Sequence, residues 1–288
     1  MPDDKVIPFT RSLSHSSMSC YRRCKVKYYW SYVKNLMSPS SVGQTRGTIG
    51  HAALGLWYTN MGKMSEEDRD KASIKLAGQM LADAEANSGE SMDKEAEMLQ
   101  CILPRYFDWA RANDNFDEII SIEQKFEINI DGMPLIGYID GVVRIKNTLW
   151  LLEHKFNKQV RTNHIDLDPQ MSIYLLAAYK AGMDVRGVLY NVIRVAEGGI
   201  AASSPVERRQ VFRNQEGLAF IENEIAIQMR EMKEFHEHGG EIYRNETGDC
   251  SWDCQFYDAC LLIQDCGDPT AVLNRFPVRP PEPNGKDV

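Results

Sequence analysis

The chain has 288 residues, of which 43% are hydrophobic and 26% charged, with a formal net charge of −8. That is enough chain for one large domain or a domain with appendages, and the composition is that of a globular protein. The net acidity argues against a surface that coats nucleic acid broadly. The polar start through Arg11-Ser12-Leu13 has no signal-peptide pattern, and no apolar run could span a bilayer, so a cytoplasmic, membrane-free protein is expected.

Residues 1–13 read as a loose tail. Residues 14–37 carry an aromatic and basic helical pattern with Tyr21, Tyr28, Tyr29, Trp30 and Tyr32; Arg22, Arg23, Lys25 and Lys27 are candidates for local basic contacts. Ser41 to Gly50 is a polar, glycine-containing break, and a helix from about Thr48 through Met61 holds His51. Ser65-Glu66-Glu67 is an N-terminal helix signature for a segment to about Asn87. A further amphipathic helix covers 91–113, so residues 1–115 form a mainly helical part.

The pattern changes at Phe116. Ile119, Ile120, Ile122, Phe126, Ile128 and Ile130 predict a strand that ends at the hairpin signal Asp131-Gly132. A second strand runs from Leu135 to Ile145, Lys146-Asn147 is a short turn, and a third runs from Leu149 to Phe156. Asp168-Pro169 opens a helix to Tyr179 with proline in its first turn. A strand follows at Val188 to Val195, then a Gly/Ala/Ser-rich stretch at 196–206 and a helix over about 216–237. Residues 241–288 are expected to be irregular and end in a proline-rich tail. Hairpins followed by a crossover helix give a mixed α/β sheet flanked by helices. The domain reading is a helical part to 115, a core over 116–240 and a cysteine-bearing segment over 241–288.

Two acids stand where apolar strands emerge: Asp140 in Gly-Tyr-Ile-Asp-Gly and Glu153 in Trp-Leu-Leu-Glu-His-Lys. Carboxylates on adjacent strands can hold a divalent cation through hard oxygen ligands. Lys155 falls on the same strand face as Glu153, because side chains there repeat every second residue. A cation, an activated water and a fixed positive charge in one place suit phosphodiester hydrolysis. Gln170 and Tyr174, four residues apart, share one helical face. Lys155, Lys158 and Arg161 are further candidate basic contacts, and Arg194 is a candidate phosphate contact.

There are seven cysteines, four of them between 250 and 266. Clustered thiols in a cytosolic chain point to metal or catalysis rather than disulfides. Four thiolates suit either a 4Fe–4S cluster or tetrahedral Zn²⁺, and the spacing does not separate the two. Trp252, Phe256 and Tyr257 are expected to supply an apolar shell. Cys101, in a helical apolar pattern, reads as core.

With Asp140, Glu153-His154-Lys155, Gln170 and Tyr174, His51 upstream and cysteines at both ends, the chain resembles the PD-(D/E)XK nuclease superfamily. More narrowly it resembles the RecB-type exonuclease branch, including CRISPR-associated and phage-encoded members that carry an iron–sulfur cluster. The resemblance runs from about Ser14 to Cys260. It implies a restriction-endonuclease-like mixed sheet and a Mg²⁺- or Mn²⁺-dependent exonuclease acting on DNA, mainly on single-stranded ends, in recombination, repair or phage DNA metabolism. By this resemblance His51, Asp140, Glu153 and the backbone carbonyl of His154 are metal ligands. Lys155 acts on water and phosphate, and Gln170 and Tyr174 lie over the site. Glu123 matches an acid that relatives carry on the preceding strand. Cys24, Cys250, Cys254 and Cys260 are the implied cluster ligands. Cys20 competes with Cys24, which lacks the family's following proline, and Cys266 competes with Cys260. Recombination or CRISPR proteins are implied partners. The rival readings are a non-catalytic DNA-binding accessory module on the same fold and a zinc-stapled nuclease of restriction type. The joint presence of Asp140, Glu153 and Lys155 speaks against the former.

Overall fold

The computed structural model describes residues 12–37, 42–158, 162–195, 204–238 and 241–279. Arg161, the stretch 196–203, residues 1–11 and the tail after 279 lie outside the described residues; Leu13, expected to end the loose tail, is instead buried in the first strand. In chain order the elements are β1 (Leu13–Ser14), α1 (His15–Arg23), α2 (Lys25–Tyr28, continuing as a π-turn over Tyr29–Val33), α3 (Val42–Thr59), α4 (Glu66–Ser88) and α5 (Asp93–Asn113). Then follow β2 (Glu118–Ile130), β3 (Met133–Ile145), β4 (Thr148–Asn157), α6 (Pro169–Lys180), β5 (Val185–Arg194), β6 (Val206–Val211) and α7 (Gln215–His238). The cysteine-bearing segment holds α8 (Cys250–Asp253), α9 (Tyr257–Gln264) and α10 (Thr270–Leu273). The segment expected to be irregular thus contains three short helices.

The strands form a six-stranded mixed sheet with helices around it, in the order β1-β3-β4-β5-β6 with β2 paired to β3. The hairpin turns are built as their residues dictate. Asp131 and Gly132 have φ of 52° and 81°, and Lys146 and Asn147 have 47° and 64°. Positive φ at both central residues matches the right-handed twist of the flanking strands. Strands β3 and β4 run antiparallel, and β4 and β5 run parallel. The parallel step requires a crossover, which α6 supplies. Its N-cap is Asp168, whose side chain accepts from the Gln170 N–H at 2.9 Å.

By compactness the chain divides into one unit of Met1–Pro39, Glu127–Gly137 and Ala219–Val288, and another of Ser40–Phe126 and Tyr138–Leu218. In the second unit the core is built from one face each of α3, α4 and α5: Ile49, Leu54 and Trp57 against Leu81, Leu103 and Phe107. Trp57 and Phe107 stack with ring centroids 5.0 Å apart. Here α3 begins at Val42, six residues before the expected start. Glycine costs about 1 kcal/mol in a helix interior, so the sequence reads as a break. Packing reverses that preference: a Cβ on Gly50 would lie 2.5 Å from the Phe156 ring, so only glycine lets the helix and β4 meet this closely. Cys101 is half-buried on α5 rather than a core residue.

In the first unit α1 starts at a capping box. Ser14 Oγ accepts from Ser17 N–H at 3.2 Å, and Ser17 Oγ accepts from Ser14 N–H at 2.9 Å. Tyr21 and Tyr28 pack edge-on to each other and to Phe235. Cys24 sits in the break between α1 and α2 with extended backbone, φ −162°. No helix among the described residues is long and apolar enough to cross a membrane.

Candidate active site and cysteine pocket

In the second unit the β3–β4 pairing ends at Gly141 and Leu152, and Asp140 and Glu153 are the next residue on each strand. Lys155 follows on the same face of β4. Asp140 Oδ2 accepts the backbone N–H of His154 at 2.7 Å and lies 3.2 Å from Nδ1 of His51, one residue after Gly50 on α3. Lys155 Nζ is ion-paired with Glu153 Oε1 and donates to Gln170 Oε1 at 2.9 Å; Gln170 Nε2 in turn donates to the Tyr174 hydroxyl at 2.6 Å. The structure therefore joins His51, Asp140, Glu153, Lys155, Gln170 and Tyr174 into one continuous group.

Glu123 belongs to it too. One ligand atom each from His51, Glu123 and Asp140 lie within 4.8 Å of one another. Strand alternation alone leaves Glu123 as a solvent-facing acid. Its φ of 50° interrupts the regular strand at this residue, a local irregularity of the sort that re-aims side chains beside functional sites. The only sequence signal for it is the family's acid on this strand.

The electrostatics are those of a site short of positive charge. Burial, then the charge of Asp140, pushes Glu153 up to about 7 against the pull of Lys155. Burial, then Asp140, likewise raises Glu123 to about 7, with His51 opposing. Burial disfavours ionised Asp140, yet the charge of His51 and hydrogen bonds from His154 and His51 hold it well below the usual carboxylate range. Burial disfavours protonated His51, but Asp140 and Glu153 outweigh it and raise the imidazole. Burial lowers His154, against the hydrogen bond and charge of Asp140. Burial also opposes charge on Lys155, but Glu153 outweighs it and keeps the ammonium. Glu153 is 1% exposed, and its Oε2 is buried without a hydrogen-bond partner. An orphaned carboxylate oxygen beside two further acids and an imidazole is a donor set that fits a hard divalent cation.

A family model for the PD-(D/E)XK nuclease superfamily matches residues 12–261. The chain belongs to that superfamily. Its fold is shared by a solved structure from Eubacterium rectale named "Putative exonuclease", at 10% identity and a TM-score of 0.53, covering 85% of this chain and 87% of that one. The structure of SSO0001 aligns at 13% identity over 81% of this chain and 92% of that one, with a TM-score of 0.33 that carries no argument. No curated protein sequence matches. PD-(D/E)XK nucleases use divalent metals, and the acid and imidazole group described above fits one.

The first unit of this PD-(D/E)XK chain holds a second candidate centre. Cys24, Cys250, Cys254 and Cys260 line one cavity together with Trp30, Phe256, Arg23, Lys27 and Arg244. Cys20 and Cys266 do not line it. Cys24, Cys254 and Cys260 pack against the apolar cluster of Val26, Trp30, Phe256 and Ala259, of which Trp30 and Phe256 line the cavity. Tyr257 lines the cavity as expected, whereas Trp252, expected beside it, is 74% exposed; α8 is one turn long and turns Trp252 outward. Burial raises the Cys254 thiol, and burial followed by the neighbouring thiols Cys254 and Cys24 raises Cys260 to about 11. Thiolates crowded in an apolar pocket would be stabilised by a bound cationic centre, and Arg23, Lys27 and Arg244 at its rim would offset residual negative charge.

Proposed function

We propose that the chain is a Mg²⁺- or Mn²⁺-dependent deoxyribonuclease that degrades DNA from free, mainly single-stranded ends. The observation that carries this reading is the convergence of His51, Glu123 and Asp140 with the orphaned Glu153 oxygen and the charged Lys155. His51, Glu123, Asp140 and Glu153 would hold the cation, with the His154 carbonyl as a further ligand. The bound cation would supply Lewis acidity for the attacking water and for the phosphate. Lys155, held by Glu153 and Gln170, presents an ammonium to the phosphate oxygens where negative charge develops. Tyr174 fixes Gln170, which keeps the Lys155 stem from swinging away.

The shared fold with a named exonuclease supports attack at ends. The test is end-labelled linear and circular single-stranded DNA, beside duplex DNA, with Mn²⁺, Mg²⁺ or EDTA. Linear single strands should be degraded and circles spared. Digestion that persists in EDTA or in Asp140→Ala overturns the mechanism, and cleaved circles overturn the end requirement.

We further infer that Cys24, Cys250, Cys254 and Cys260 hold a 4Fe–4S cluster. The support is that the same four line one cavity with an apolar wall and a basic rim. Iron and sulfide assays with visible absorption test it, and stoichiometric zinc without iron would replace the cluster with a zinc site.

A further inference from the structure

The second unit buries a hydrogen-bonded chain that the chemistry above leaves unexplained. It begins at Asp114, just past the end of α5, whose side chain is 2% exposed. One Asp114 oxygen accepts from Arg208 Nη2 at 2.6 Å and the other from the Tyr58 hydroxyl at 2.6 Å. The Tyr58 and Tyr106 hydroxyls are 2.7 Å apart, and the Tyr106 hydroxyl is 2.8 Å from His154 Nε2. His154 then reaches Asp140, through its backbone N–H at 2.7 Å and with Nδ1 at 3.3 Å. Arg208 is fixed in turn: its Nε donates to Asn191 Oδ1 at 2.7 Å, and Asn191 is the ladder partner of His154. Tyr106 is fully buried and Tyr58 nearly so, so solvent cannot exchange with these partners.

Counting protons gives the chain a direction. A carboxylate paired with Arg208 only accepts, so the one Tyr58 proton goes to Asp114. The Tyr58 oxygen then takes the Tyr106 proton. The Tyr106 oxygen is left to accept, and its remaining neighbour is His154 Nε2, which must carry the hydrogen. That hydrogen bond fixes the plane of the ring, which sets Nδ1 3.3 Å from Asp140 Oδ2. Asp140 is thus held from His154 both by the backbone N–H and by a ring whose plane the buried chain determines.

We propose that Asp114, Tyr58 and Tyr106 are positioning residues that fix the plane of His154, and through it the metal-binding Asp140. The proposal rests on Asp140 being a metal ligand. It is tested in the full chain with Tyr106→Phe, Tyr58→Phe and Asp114→Asn. The readouts are Mn²⁺ affinity by electron paramagnetic resonance titration, kcat and KM on end-labelled single-stranded DNA, thermal unfolding, and ¹⁵N shifts of the histidine rings. Tyr106→Phe should weaken Mn²⁺ binding about tenfold, at the lower end of the effect of groups that support metal ligands. It should lower kcat with it, leave KM for DNA unchanged, and shift the His154 Nε2 resonance as its Tyr106 partner is lost. Tyr58→Phe and Asp114→Asn should act in the same direction with smaller size, because each leaves Tyr106 in place. Should Tyr106→Phe fail to fold, these two carry the test. Variants that melt earlier yet keep Mn²⁺ affinity, kcat and the His154 ring shifts would overturn the proposal and leave the chain as core support. If Asp140→Asn also keeps wild-type Mn²⁺ affinity, the metal site itself is refuted. If Asp140→Asn loses affinity while Tyr106→Phe keeps it, the positioning role alone is refuted.

Discussion

Replacing Glu123 by glycine separates a metal ligand from an ordinary strand residue. At φ 50° a non-glycine residue carries strain of about 1–2 kcal/mol. Glycine is relieved of it and alanine is not, so Glu123→Gly should be more stable than Glu123→Ala by about 1 kcal/mol. The carboxylate is lost in both. In the metal-free protein Glu123 and Glu153 are each raised from 4.5 to about 7. An acid whose folded pKa exceeds its unfolded value binds its proton more tightly when folded. Stability is therefore lost as pH rises from about 4.5 through about 7, and the deficit persists above that range. A divalent cation held by these carboxylates would remove the deficit. At a hundredfold excess over Kd, binding adds about 2.7 kcal/mol, which a tenfold loss of affinity cuts to about 1.4 kcal/mol. The first figure corresponds to about 5 °C in a chain of this size. The assay is thermal unfolding at about pH 8, first in EDTA and then in Mn²⁺ fixed at about a hundred times the wild-type Kd. Glu123→Gly should match or exceed wild type in EDTA and show about half its Mn²⁺-induced rise. An equal rise in both proteins would remove Glu123 from the ligand set.

Asp140→Ala should abolish cleavage and Mn²⁺ binding together, whereas Lys155→Ala should lower kcat by about 10²–10⁴-fold with Mn²⁺ affinity largely kept; parallel loss of affinity in Lys155→Ala, measured by the same titration, would make the lysine part of the metal site instead. Gly50→Ala forces a Cβ to 2.5 Å from the Phe156 ring and should cost about 1–3 kcal/mol in urea unfolding; a change below a few tenths would show that the ring moves aside freely. Cys24→Ala should lose iron, sulfide and visible absorption while Cys20→Ala keeps them, and the opposite outcome would exchange the two ligands.

Elements closed by local chemistry were legible in the sequence. Ser65 caps α4 by accepting the Asp68 N–H at 3.1 Å, Asp168 caps α6, and two positive-φ turns set the β2–β3 and β3–β4 hairpins. Elements that tertiary contacts decide were not. The glycine-containing start of α3 reads as a break until Phe156 is packed against Gly50. Strand β6 escaped notice because Glu207, Arg208, Arg209 and Gln210 fill its middle and only Val206 and Val211 are buried; it exists by pairing with β5. The short helices α8 to α10 lie below the length at which propensity has meaning.

The site divides along the same line. Asp140, Glu153 and Lys155 could be read because a strand fixes which side chains share a face. Glu123 was obscured because its positive φ breaks that rule. Tyr58 and Tyr106 carry no sequence signal of a role: they lie on helices, and their rings are core. What a hydrophobic pattern does not register is the phenol oxygen. Phenylalanine would fill the same volume without burying a polar group, so a fully buried tyrosine is stable only where its hydroxyl finds a partner. Those partners come from α3, α5, β4 and the turn after α5, segments that meet only once the chain is folded. A directed hydrogen-bond chain is thus a property of the assembled core, and its trace in the sequence is no more than the choice of tyrosine over phenylalanine at two positions.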